Sequence, residues 1–183
     1  MGELERLTAA GATIDLVGHD WGAGHVFGVV ADRPDLVRSW AADCAALIHP
    51  SYVWHDLAQV WQTPRAGEEL VAAMMGGTIA DRTAAYAGLG VPPDVASAMA
   101  AAADDEMGRC ILALYRDAAQ PAMQEFGQQF VAGERPPGLV ILATEDPYTP
   151  AAEGAEMATA LGAATLTLDG CGHWWMFQEP GLA

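Results

Sequence analysis

One string constrains this chain more than any other: Val17-Gly18-His19-Asp20-Trp21-Gly22-Ala23-Gly24. Residues 12–17 before it are apolar and β-branched, as in a buried strand, and residues 25–31 after it read as a buried helix. A strand, a tight Gly-x-Asp-x-Gly turn and a helix form a turn that holds one side chain out on a strained backbone. That residue is crowded by its neighbours two before and two after, so glycine is expected at both places, Gly18 and Gly22. The helix that follows aims its first N–H groups at the same spot, where they favour negative charge. The central residue is Asp20. A carboxylate there can attack carbon and form an ester that water later hydrolyses. The alternative is an ordinary strand-to-helix turn in which Asp20 merely caps the helix.

Four segments have strand character: 12–17, 36–43, 138–143 and 163–168. The connections between them are long enough for right-handed parallel crossovers, so the expected fold class is α/β with a parallel sheet. Between the second and third strands, residues 49–137 are rich in Ala, Met and Gln, with helical periodicity and frequent breakers. They are expected to form an inserted helical cap or lid, with helices near 52–62, 66–76, 78–87, 93–103, 104–118 and 120–131. The α/β core is then 1–48 together with 138–183. Methionines such as Met74, Met75 and Met99 suit adaptable lining and core.

Asp20, Asp146 and His173 each follow an expected strand. Strand C-termini of a parallel sheet share one edge, so these three side chains can converge there. Their order is nucleophile, acid, histidine. His173 is placed to act as general base on water, and Asp146 to hold its tautomer. Glu145 and Asp169 are rival acids on the same two loops.

The Gly-His-Asp-Trp-Gly string, the acid loop Leu142-Ala143-Thr144-Glu145-Asp146-Pro147, and Gly172-His173-Trp174 followed by Gln178-Glu179-Pro180 resemble the α/β-hydrolase superfamily. Within it they are similar to the branch of epoxide hydrolases and haloalkane or haloacid dehalogenases. The resemblance implies that the backbone N–H of Trp21 stabilises the developing negative charge and that its indole contacts a leaving group. It implies a phenol from the cap: Leu114-Tyr115-Arg116 resembles the segment carrying a substrate-assisting tyrosine, here Tyr115. Val60-Trp61-Gln62-Thr63-Pro64 resembles a second lid segment, but Leu57 stands where its tyrosine is expected, and Tyr52 is the substitute to consider. Trp54 and His55 lie near where dehalogenases bind halide. His19, Trp54, His55, Trp61 and Trp174 are together expected to line the substrate.

The string begins at residue 17, and ten residues follow His173. In the family, several strands precede such a turn, a His-Gly-x-Pro-type turn supplies a second oxyanion N–H, and a last helix follows the histidine. The resemblance therefore implies a partial α/β-hydrolase fold with flanking helices, lacking that turn, with the strand before Asp20 at a bare edge. Such an edge invites pairing, in a homodimer or with an N-terminal partner polypeptide; the alternative expectation is a chain truncated from a longer gene.

Eight basic against 24 acidic residues leave a net charge of −16. This excludes nucleic acid or an anionic membrane as natural partners. No run of about 18 apolar residues occurs and the N-terminus lacks a signal-peptide pattern, so a cytoplasmic location is the expectation. The cysteines Cys44, Cys110 and Cys171 have no metal-ligand spacing and are expected as free thiols. Neither metal nor cofactor is implied. The expected substrates are small apolar epoxides or halogenated compounds, and the non-catalytic alternative is a binding subunit that keeps the pocket.

Overall fold

The computed structural model describes residues 1–181. In chain order it contains α1 (Gly2–Ala9), β1 (Asp15–Gly18), α2 (Trp21–Asp32), β2 (Ser39–Ala42), α3 (Asp56–Gln62), α4 (Ala66–Gly76), α5 (Ile79–Gly88), α6 (Pro93–Ala102), α7 (Asp105–Asp117), α8 (Ala122–Ala132), β3 (Gly138–Ala143), α9 (Ala151–Leu161), β4 (Ala164–Leu168) and α10 (Trp175–Gln178). The chain divides into two compact units.

The first unit is Met1–Tyr52 with Met123–His173. Its sheet has four strands in the order β1-β2-β3-β4, every neighbouring pair parallel. Gly18 lies opposite Ala42, and Ala143 opposite Leu168, so the C-terminal ends of the strands line up along one edge. The second strand is shorter than the expected 36–43. Pro34 presets a helical φ and starts a 3-10 turn, Pro34–Leu36, that occupies the first of those residues.

Helix α2 packs on the sheet through Ala23, Val26, Phe27 and Val30. The Phe27 ring meets the Trp40 ring edge-on, with centroids 5.7 Å apart, and lies 5.6 Å from Phe130 of α8. Helix α8, inside the stretch read from sequence as one helical insertion, thus packs its aromatic side chain onto this core. Helix α9 buries Met157, Ala158 and Leu161 and ends on Gly162, whose φ of 63° is the left-handed conformation that glycine adopts at no steric cost. β1 is an edge strand, and Val17 on it is 76% exposed.

The second unit is Val53–Ala122 together with the chain from Trp174 onward. It is helical among the described residues. Its helices start on recognisable caps. Thr78 and Asp81 form a reciprocal capping box on α5, and Asp104 accepts from the Met107 N–H at the head of α7. Helix α3 begins at Asp56, later than the expected 52, because the His55 ring accepts from the Ala58 N–H and sets the start. Among the described residues, no helix is long and apolar enough to cross a membrane.

Candidate active site

Asp20 has φ 54° and ψ −125°, a strained conformation for a residue with a side chain. Holding such a residue costs about 1–3 kcal/mol, which persists only where the surroundings over-determine it. Two features do so. A Cβ at Gly18 would lie 2.5 Å from the Gly22 carbonyl oxygen and 2.7 Å from the Ala23 nitrogen, so only glycine lets strand and helix approach this closely. The Asp20 N–H also donates to Asp43, at 3.0 Å. Gly22 differs from the expectation: a Cβ there would meet nothing within 4 Å, so the turn does not need its glycine for space.

Asp20 occupies the N-cap position of α2, yet its side chain makes no capping hydrogen bond. The carboxylate is instead half exposed and faces His173, whose Nε2 lies 3.9 Å from Asp20 Oδ1. The capping alternative thus has no support in the geometry.

His173 donates from Nδ1 to Asp146 Oδ2 at 2.9 Å. An ionised carboxylate only accepts, so this contact fixes the proton on Nδ1 and turns Nε2 toward Asp20. Asp146 is itself well held. It accepts from the Tyr148 N–H at 2.8 Å and from the Thr149 hydroxyl at 2.9 Å. Burial alone raises the Asp146 carboxyl, but His173 and these donors outweigh it, and its pKa falls below the usual carboxylate value. For His173, burial opposes the charged form, but the Asp146 hydrogen bond and the negative charges of Asp146, Asp20 and Asp43 outweigh it, and its pKa is raised. The rival acids Glu145 and Asp169 are both exposed, and Asp146 is the one that accepts from His173.

Three neighbours of this constellation were not singled out in the sequence. Asp43, 3% exposed, follows β2 and reaches both Asp20 and His19. Thr149 is buried and anchors Asp146. Tyr148 sets its ring edge against the His173 ring, with centroids 4.9 Å apart, and burial together with Asp146 and Asp20 raises its phenol pKa. Asp43 carried a usable signal: it ends the second strand at the same sheet edge as Asp20 and Asp146. Thr149 and Tyr148 carried none beyond lying on the acid loop.

His19 stacks obliquely on His173, with ring centroids 4.7 Å apart, and so forms one wall beside that ring. Tyr52 is buried, and its hydroxyl donates to the Tyr148 carbonyl at 3.0 Å, which removes it as a substitute lid tyrosine. Cys44, Asp146 and His173 each offer a ligand atom, all within 4.8 Å of one another. Asp146 and His173 are spent on each other, however, and burial followed by the nearby aspartates pushes the Cys44 thiol well above its ordinary pKa. All three cysteines are free.

Trp54, His55, Trp61, Tyr115 and Trp174 lie in the second unit. Tyr115 is buried against Trp61 at 4.6 Å, Trp54 at 5.3 Å and His55 at 6.2 Å between ring centroids. The Trp54 indole N–H donates to the Ala118 carbonyl at 3.0 Å. The Trp61 indole nitrogen is buried and has no acceptor among the described residues. Trp174 precedes α10 and stacks on Phe177. Trp21 opens α2, directly after Asp20.

Residues 2–183 match the model of the alpha/beta hydrolase family. No curated protein matches the sequence. Among solved structures, E-2-(acetamidomethylene)succinate hydrolase is similar at 20% identity, over 99% of this chain and 66% of that one, with a TM-score of 0.67. Haloalkane dehalogenase DbeA from Bradyrhizobium elkani USDA94 is similar at 23% identity, over 96% of this chain and 66% of that one, with a TM-score of 0.66. A hydrolase from Pseudomonas aeruginosa PA01 is similar at 19% identity, over 99% and 66%, with a TM-score of 0.56. The chain thus spans just under two thirds of the length of the solved structures it matches.

Proposed function

This chain belongs to the alpha/beta hydrolase family, and on that premise we propose that it is a cofactor-independent hydrolase that works through a covalent ester on Asp20, with an epoxide as its substrate. The observation that carries this reading is the strained Asp20, whose carboxylate does not cap its helix but faces a histidine held by Asp146.

An Asp20 oxygen attacks the less hindered epoxide carbon, the C–O bond breaks, and its electron pair leaves on oxygen. Tyr115 gives that alkoxide its proton. Water then loses a proton to His173 Nε2 and attacks Asp20 Cγ. The N–H groups at the head of α2, that of Trp21 first, take up the charge of the tetrahedral intermediate. Collapse releases the diol, restores the Asp20 carboxylate and leaves one proton, which returns to the phenolate. Asp146 keeps Nδ1 protonated and stabilises the imidazolium. The helical unit is the proposed cap, with His19, Trp54, His55, Trp61 and Trp174 lining the substrate.

A second reading, displacement of halide by the same carboxylate, has one specific observation in its favour. The Trp54 N–H is already donated to Ala118, whereas the buried Trp61 N–H has no acceptor among the described residues and suits a leaving halide. The likeness to a haloalkane dehalogenase points the same way.

Intact-protein mass spectrometry of a His173→Gln variant separates these readings. With styrene oxide, a mass gain of one epoxide is expected, absent when Asp20→Asn is added. A gain only with a bromoalkane or haloacetate moves the assignment to dehalogenation. No adduct from either, in protein shown to be folded, overturns the aspartyl-ester mechanism and favours a non-catalytic binding subunit.

A further inference from the structure

Asp43 takes no part in the chemistry above, yet it is a buried carboxylate joined to two consecutive residues of the Asp20 turn. Its Oδ1 accepts the Asp20 N–H at 3.0 Å, and its Oδ2 lies 2.6 Å from His19 Nδ1. Its own N–H donates to the Gly18 carbonyl at 3.3 Å, so the end of β2 is bonded to the turn at three places. The two side-chain contacts cross 23 and 24 residues of sequence. They exist because β1 and β2 pair in the register that sets Gly18 beside Ala42, which places Asp43 one step beyond the sheet, level with the turn.

The two oxygens do different work. Oδ1 holds the peptide that carries Asp20, whose φ of 54° an unrestrained chain would leave. Oδ2 belongs to a group that can only accept when ionised, so His19 must carry its proton on Nδ1. That bond also sets the plane of the His19 ring, which lies 4.7 Å from the His173 ring. A single buried carboxylate therefore reaches both partners of the reaction, Asp20 directly and His173 through His19.

We propose that Asp43 is the positioning residue of this site: it fixes the Asp20 peptide in its attacking conformation and, through the His19 ring, the seat of His173. This inference rests on the aspartyl-ester reading for its catalytic consequence, but its geometric content stands apart from turnover.

The test has two arms. In the unmodified protein, nuclear magnetic resonance should show His19 as the Nδ1–H tautomer from its ring nitrogen shifts, and an Asp20 amide that exchanges slowly with solvent. In Asp43→Ala that amide should exchange at least about tenfold faster. An Nε2–H tautomer in the unmodified protein, or the same amide exchange in both proteins, overturns the proposal.

The second arm measures ester formation in the His173→Gln background with the reactive probe, styrene oxide or bromoalkane. Asp43→Ala should slow it about a hundredfold, the scale expected when a reacting group is misplaced by about an ångström. Asp43→Asn keeps an oxygen for the Asp20 N–H, so ester formation should recover to within about tenfold of the parent. A purely structural role would lower the melting temperature of both variants and leave ester formation in the folded fraction unchanged, which also overturns the proposal. If the His173→Gln parent forms no ester, the aspartyl-ester reading is what fails, and the amide and tautomer measurements alone decide the role of Asp43.

Discussion

His173 Nε2 stands 3.9 Å from Asp20 Oδ1, too far for a hydrogen bond and close enough for the ring to serve the ester that Asp20 would carry. With Nδ1 hydrogen-bonded to Asp146, Nε2 is the nitrogen that faces Asp20, and in the proposed mechanism it takes the proton from water. The expected consequence concerns atoms. If water attacks Asp20 Cγ, a single turnover in oxygen-18 water puts the label into the Asp20 carboxylate and not into the product. Mass spectrometry of the peptide containing Asp20 reads this directly; label found only in the product would mean that water attacks the substrate carbon instead.

The sign of the pH dependence follows from His173. Burial lowers its pKa, but Asp146, Asp20 and Asp43 together raise it above the ordinary histidine value. Ester hydrolysis needs the neutral ring. The rate should therefore fall as pH drops through the ring's pKa; in the ester Asp20 carries no charge, so Asp146 and Asp43 are the groups that still raise it there. Asp146→Asn removes the strongest raising cause, so the limb should move to lower pH. The plateau should fall by about a thousand- to ten-thousandfold, because the ring then lacks its tautomeric anchor. A pH profile of ester hydrolysis in both proteins checks both effects.

The same shifts affect stability. A raised His173 pKa stabilises the fold fully below the unfolded value, and this contribution is lost as pH rises through the folded one. The lowered Asp146 pKa stabilises above its unfolded value and is lost as pH falls through its folded one. The difference in melting temperature between the unmodified protein and Asp146→Asn should therefore shrink toward both ends of the pH scale.

The two glycines of the turn should behave differently. Gly18→Ala drives a methyl to 2.5 Å from the Gly22 carbonyl, which cannot yield without opening the turn. Ester formation in the His173→Gln background should drop at least about a hundredfold. Gly22→Ala meets nothing within 4 Å and lies inside α2, so it should be tolerated and stabilise the fold by about 0.5–1 kcal/mol. Denaturant unfolding of the pair measures the contrast.

Phe27 is fully buried between Trp40 and Phe130. Phe27→Ala should destabilise the sheet unit by about 3–5 kcal/mol through lost burial and the cavity left behind. A change below about 1 kcal/mol in urea unfolding would contradict the packing described.

The outer side of β1 is open, and Val17 on it is 76% exposed. Pairing through this edge in a homodimer is expected to give a light-scattering mass above that of one chain, and Val17→Lys should return it to a monomer, since charge on an edge discourages pairing. A monodisperse monomer before substitution would count against pairing of two copies through this edge.

Much of this molecule was legible along the chain. The strands at 138–143 and 163–168, the helix ending at Gly162 and the helical run from 66 to 117 follow from periodicity, caps and breakers, which act over a few residues and are therefore written locally. That Asp20, Asp146 and His173, each standing after a strand, can meet at one sheet edge followed from the handedness of parallel crossovers, a rule of topology. By contrast, only the folded chain decided that Asp146, and not Glu145 or Asp169, accepts from His173. It also decided that Gly18 is sterically required where Gly22 is not, that Tyr52 is spent on Tyr148, and that Asp43 grips the turn. Each of those depends on strand register and on which way a side chain leaves its backbone. A shift of one residue in register reverses the face a strand residue presents, so contacts spanning more than twenty residues take their identity from the tertiary structure.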